Sequence, residues 1–142
     1  MRQIEETIGL LIGRISRAHR NRALAALSSL GLHPVQELIL LQLWEEEGIT
    51  QSQIAERLGI EAPTVTKILQ RLERNGFVKR CQDEDDARIS RVYLTPTSRG
   101  LEEPVVDIWH SLEERTLDGL TDTERMLLRR LLLHIKDNLD GC

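Results

Sequence analysis

Thr50–Gly76 reads TQSQIAERLGIEAPTVTKILQRLERNG, and its apolar spacing describes two short helices joined by a tight turn. Ile54, Ala55 and Leu58 fall one turn apart on the first helix. Val65, Ile68, Leu69 and Leu72 follow at i, i+3, i+4 and i+7 on the second, a single stripe to bury. Thr50 with Gln53 forms a capping box at the start of the first helix. Gly59 supplies the positive φ of a sharp helix–helix turn, and small Ala55 lets the two helices approach. Pro63 occupies the first turn of the second helix, where its missing N–H costs nothing, and Gly76 stops that helix. Thr64, Lys67, Gln70, Arg71 and Arg74 are left on its outward face. A helix with one basic face, braced by a partner across a turn, fits a DNA major groove. The alternative is an ordinary pair of core helices with a solvated charged face.

The next segment favours DNA. Phe77–Cys81 is a short β-prone run, 83–87 is a polar turn, and 89–94 alternates apolar and polar with period two. Together they predict an antiparallel hairpin, the wing of a winged helix-turn-helix. Arg88 lies at the end of the tip, where a guanidinium can enter the adjacent minor groove. The acids beside it are expected to be handled by an Asp86–Arg80 pair that fixes the loop, with the other carboxylates in solvent. A plain acidic hairpin turn is the competing reading.

The helix pair, the wing sequence DEDDARISRVYLTPTSRG (83–100) and the long flanking helices resemble the MarR family of bacterial transcription regulators, whose wing commonly reads D-x-x-D-x-R, a strand, then L-T-x-x-G. Asp83, Asp86, Arg88, Leu94 and Thr95 match, while Gly100 comes one or two residues late. The resemblance covers nearly the whole chain. It implies a homodimer that binds a palindromic operator on double-stranded DNA, usually as a repressor, and in many members releases it on binding a small aromatic or phenolic effector; a cytoplasmic location is expected from the lack of a membrane-spanning run and of a signal peptide. It also implies that Arg88 is the minor-groove arginine and that residues 62–71 supply major-groove contacts. The resulting DNA-contact set is Pro63, Thr64, Thr66, Lys67, Gln70, Arg71, Arg74 and Arg88, with Arg80 and Asp86 as wing support. An effector pocket where the dimer helices meet the DNA-binding lobe draws on Arg14, His19, His33 and Trp109, although a core role for Trp109 serves equally.

The expected architecture is mainly α with a small β-hairpin: one domain, with dimerisation helices at 1–33 and 97–142 around a winged lobe at 34–96. Residues 3–29 predict a single long helix with Ile4, Ile8, Leu11, Ile12, Ile15 and Ala18 on one stripe, ended by Gly31. A helix from Pro34, with His33 as its cap, is apolar almost all round and closes at Gly48. Leu101, Val105, Ile108 and Leu112 mark a helix of about five turns. A second capping box, Thr121–Glu124, opens a last helix. Its Met126, Leu127, Leu128, Leu131, Leu132, Leu133, Ile135 and Leu139 exceed what one face of a monomer can bury. The N-terminal helix and the last two helices therefore read as a dimer interface, the alternative being that they fold back on their own domain.

A net charge of −4 over 142 residues is not itself that of a DNA binder. The charge is segregated: residues 1–49 carry −1, 50–100 carry +2 and 101–142 carry −5, while Ala62–Arg80 alone carries +4. Phosphates respond to the presented face rather than to the total. No apolar run reaches membrane-spanning length, and the N-terminus does not read as a signal peptide. The four histidines (His19, His33, His110, His134) show no ligand spacing, no nucleophile elbow or phosphate loop is present, and the two cysteines make no framework. The expectation is a non-enzyme without cofactor or metal. A sensor using His33, His110 and a carboxylate, or a reactive Cys81 beside Arg80, stays open on the same fold. So does a winged-helix protein-interaction module.

Overall fold

A computed structural model describes residues 2–33 and 35–141. The elements run α1 (Arg2–Glu5), α2 (Ile8–Ser28), α3 (Gln36–Glu45), β1 (Ile49–Thr50), α4 (Gln51–Leu58), α5 (Ala62–Arg74), β2 (Val78–Gln82), β3 (Ser90–Leu94), α6 (Pro96–Arg99), α7 (Glu102–Thr116) and α8 (Asp122–Asp140). They divide into two compact units, 1–109 and 110–142, with the division inside α7. Among the described residues no helix is long and apolar enough to cross a membrane.

In the first unit the helix pair forms as its spacing predicts. Gln53 N–H donates to Thr50 Oγ1 at 3.1 Å and Thr50 N–H to Gln53 Oε1 at 2.9 Å, so both halves of the capping box are made. Gly59 takes φ 65° between α4 and α5. Ile54, Val65, Leu69 and Leu72 are fully buried, and Ile68 is half-buried. With Leu27, Ile39, Leu40 and Leu43 they form the core beneath the sheet, each such side chain worth about 1.5–3 kcal/mol in transfer from water.

The hairpin pairs Val78 with Leu94, Arg80 with Val92 and Gln82 with Ser90. Period two puts Val78, Val92 and Leu94 in the core and Lys79 and Tyr93 outside. A third strand, β1, adds to β3 through Ile49 opposite Val92 and gives the order β1-β3-β2, so the sheet is larger than the hairpin expected. Gly48 makes the approach to β1: its φ is 79°, and a Cβ there would sit 3.2 Å from the Tyr93 ring. It therefore belongs to the turn before β1 rather than closing α3, which ends at Glu45 with Glu46 as C-cap.

Three other expectations are corrected. The first helix is broken at Thr7, whose hydroxyl donates to Ile4 O at 2.8 Å and accepts the Leu10 N–H at 3.2 Å, so one side chain stops α1 and caps α2. His33 does not cap α3. Val35 is its N-cap, in a left-handed conformation at φ 72°, while His33 N–H donates to Gln36 Oε1 at 3.0 Å. The expected helix start, Pro34, lies outside the described residues, as does Cys142. The helix after the wing is α7, of 15 residues and so about four turns rather than five. The short helix α6 fills the residues that delay Gly100. Thr95 and Ser98 cap it reciprocally, and Thr95 Oγ1 also donates to Gly76 O at 2.6 Å, tying the end of β3 to the end of α5.

In the second unit, Thr121 and Glu124 form the predicted capping box of α8. Arg125 donates from Nε to Leu120 O and from Nη2 to Leu117 O, both at 3.1 Å, which closes the α7–α8 corner. No residue of α8 is buried. Met126, Leu131, Leu132 and Leu133 are among its exposed apolar side chains.

Candidate nucleic-acid interface

On α5, buried Val65, Leu69 and Leu72 fix the roll of the helix, so Lys67, Gln70, Arg71 and Arg74 emerge along one exposed stripe. Among the described residues none of these three cations forms an ion pair. His33 and Gln36 face the same stripe across a groove of about 470 Å³. Pro63 and Thr64 are exposed in the first turn. Thr66 differs from the rest of the set. It is half-buried, and its hydroxyl donates to Ala62 O at 3.1 Å while accepting Gln51 Nε2 at 3.2 Å.

At the wing tip the Arg88 side chain is 91% exposed yet held in place. Its Nε and Nη2 donate to the two oxygens of Asp86 at 3.1 and 3.2 Å, and its backbone N–H donates to Asp86 Oδ1 at 3.0 Å. The Asp86–Arg80 pair expected from sequence is not formed, because Arg80 lies back on β2 against α5. There it donates from Nη2 and Nε to Glu73 Oε1 at 3.0 and 3.3 Å. Nor do the other acids all face solvent. Asp83 accepts the Asp85 and Asp86 N–H groups, each at 3.1 Å, and Arg91 Nε at 2.6 Å. Arg91 in turn reaches Gly48 O at 2.8 Å, so the tip is stapled to the turn before β1. Each guanidinium holds its carboxyl below the usual carboxylate range: Arg91 for Asp83, Arg88 for Asp86 and Arg80 for Glu73.

The four residues assigned to an effector pocket are not brought together as a set. His19 packs on Trp109 with ring centroids 5.7 Å apart and a 40° tilt. His33 faces the α5 groove instead, and Arg14 is exposed on α2. Among the described residues two buried side-chain polar atoms lack a hydrogen-bond partner: Trp109 Nε1, and Oε2 of Glu37, a residue only 5% exposed near the start of α3. Burial raises the Glu37 carboxyl above the usual range. Cys81 is a half-buried free thiol, and Arg80 beside it in sequence is on the opposite face of the strand and committed to Glu73. Among the described residues no three His, Cys, Asp or Glu side chains gather as a metal site.

Sequence reasoning missed the Glu73–Arg80–Gln51 contacts and Glu37. The first join residues 29 and 7 apart in the chain and carry no local signal. The second hides in a run of good helix formers.

The MarR family's sequence profile matches residues 32–90, which span the end of the α2–α3 connection through the wing tip. The transcriptional regulator TtmR of Methylorubrum extorquens is 38% identical over 104 residues, 73% of this chain but 52% of that protein, so the chain spans about half of this relative's length. The organic hydroperoxide resistance transcriptional regulator of Bacillus subtilis is 32% identical over 106 residues, covering 75% of this chain and 72% of the relative. Among solved structures, the MepR–DNA complex of S. aureus superposes with a TM-score of 0.88 at 26% identity, covering 93% of this chain and 98% of that one. With a winged helix-turn-helix built around a basic α5 and an arginine-tipped wing, the chain belongs to the MarR family of transcriptional regulators.

Proposed function

We propose that this chain is a homodimeric repressor that binds a palindromic operator on double-stranded DNA and is released by a small aromatic effector. The observation that carries the DNA reading is the pairing of two presentations in one unit: an ion-pair-free basic stripe on α5 and an almost fully exposed arginine on the wing. Thr64, Lys67 and Gln70 read base edges, Arg71 and Arg74 meet phosphate or base, Pro63 sets the approach of the first turn, and Arg88 enters the minor groove. The MepR structure in complex with DNA supports this reading for a chain of the same fold.

Dimerisation rests on apolar residues left in water. Ile4, Ile8, Leu11 and Ile15 are each more than half exposed, and Met126 and Leu139 about three quarters. Residues 1–33 and 97–142 supply the dimer helices, and 34–96 supplies the reading lobe. Two-fold symmetry then sets half-sites about one helical turn apart, ~34–36 Å. The effector acts by favouring a spacing of the lobes that misfits the half-sites, and it must bind that state better than the DNA-competent one. His19 and Trp109 are its first candidate contacts. The cytoplasm is where such a regulator meets its operator.

Fluorescence anisotropy on the duplex upstream of the chain's own gene, against a scrambled duplex, tests the reading across a salt series. Selective binding that weakens with log[salt] by about 0.9 per neutralised phosphate is expected. A flat salt response rejects the phosphate contacts. Equal weak binding to both duplexes, followed by an empty selection from a random library, rejects sequence-specific recognition.

A further inference from the structure

Glu73, Arg80, Gln51 and Thr66 form one continuous polar chain across three elements. Glu73, near the end of α5, accepts Arg80 Nη2 and Nε through Oε1, and accepts the Arg80 backbone N–H through Oε2 at 3.3 Å. Arg80, on β2, donates from Nη1 to Gln51 Oε1 at 3.3 Å. Gln51, the first residue of α4, donates from Nε2 to Thr66 Oγ1 at 3.2 Å, which returns the chain to α5. Thr66 and Glu73 are seven residues apart, so they stand on one face of α5, two turns from each other. That face borders the exposed Lys67–Arg74 stripe on one side and buried Leu69 and Val65 on the other.

We propose that these four side chains are positioning residues for DNA recognition: they set the roll of α5 and its angle to the wing, and make no base or phosphate contact themselves. The proposal rests on the DNA reading above. Three observations carry it. The Thr66 hydroxyl has given its one hydrogen to Ala62 O, so it has none to donate to a base or phosphate. The Arg80 side chain is only 24% exposed and its guanidinium is paired with Glu73, unlike Lys67, Arg71 and Arg74. A carboxylate on the helix that meets a polyanion is unfavourable by charge alone, yet Glu73 is fixed there by three donors from one residue.

The sign of the Glu73 effect separates positioning from plain electrostatics. The probes are a duplex selected by the parent chain from a random library and its scrambled counterpart. Glu73→Gln removes a negative charge, so charge alone predicts tighter binding to both. Positioning predicts operator affinity lower by on the order of tenfold, with scrambled DNA bound as well as or better than before. Arg80→Gln is expected to show the same loss with the parent's salt slope, whereas Arg71→Gln lowers that slope by about 0.9. The Glu73→Gln/Arg80→Gln double variant is expected to lose no more than either single one. Thr66→Val, which keeps the β-branched shape and removes the Gln51 link together with the hydroxyl's local bond to Ala62 O, gives a smaller loss in the same direction should the others fold poorly by circular dichroism. Tighter binding of Glu73→Gln to both duplexes, a slope lowered by Arg80→Gln, or additive losses would each overturn the clamp. Failure of the parent chain to select any duplex removes instead the DNA reading on which the clamp rests.

Discussion

Arg88 combines exposure with order. A free arginine side chain gives up roughly 2 kcal/mol of rotamer entropy when fixed, and the bidentate contact with Asp86 removes part of that loss before DNA arrives. Arg88→Ala is expected to cost on the order of 1–3 kcal/mol of operator binding and to leave the oligomeric state unchanged, checked by anisotropy and sedimentation. Unaltered binding would remove the wing from the interface. Carboxylates elsewhere give opposing pH dependences. Asp83, Asp86 and Glu73 titrate lower in the folded chain than in the unfolded one, so their contribution is present at neutral pH and fades as pH falls through their folded pKa values. Glu37 titrates higher when folded. Between its unfolded and folded pKa the native state holds the extra proton, so its contribution worsens as pH rises. The stability difference between Glu37→Gln and the parent should therefore grow in favour of the variant from acid to neutral pH in urea titrations. A difference independent of pH would mean that Glu37 is not buried in solution.

At the scale of elements, hydroxyl caps punctuate the chain: Thr7, Thr50, Thr95 and Thr121 each accept a backbone N–H at a helix start. Thr121→Ala is expected to destabilise by about 1 kcal/mol in chemical denaturation, and a neutral result would show that α8 is held by something other than its cap. These caps also explain which elements were legible from sequence. The boxes at Thr50 and Thr121, the Gly59 turn and the β2–β3 hairpin each lie within a few residues, so local pattern sufficed. β1 is two residues long and exists only because β3, some forty residues later, offers it a partner. The break at Thr7 went unseen because its hydroxyl acts within an apolar stripe that continues on both sides. The exposed basic stripe on α5 was readable for the reason that Val65, Leu69 and Leu72 dictate the opposite face. The partners of Asp86 and Arg80 were not, since strand register and helix position decide which guanidinium reaches which carboxylate.

For the whole molecule, α2 and α8 carry unburied apolar side chains that the proposed homodimer would cover. Leu131→Glu with Leu132→Glu is expected to shift sedimentation from dimer to monomer, and the parent's Tm should rise with protein concentration. A concentration-independent Tm together with monomeric sedimentation would defeat the homodimer. The net charge of −4 opposes attachment to polyanions in general, while the α5 stripe keeps a local positive face.

The chain has two tryptophans, and their surroundings differ. Trp44 Nε1 donates to Ser98 O at 3.1 Å, whereas Trp109 Nε1 has no hydrogen-bond partner among the described residues and its ring lies against His19. The two indoles therefore offer separate reporters for the proposed effector and for the proposed lobe motion. The proposed effector, in parting His19 from Trp109, is expected to alter the emission of one indole, and a shift of the β3–α6 join that of the other. With Trp44→Phe and Trp109→Phe to separate the signals, ligand capture and motion of the reading lobe become observable on one unlabelled sample, each in its own optical channel.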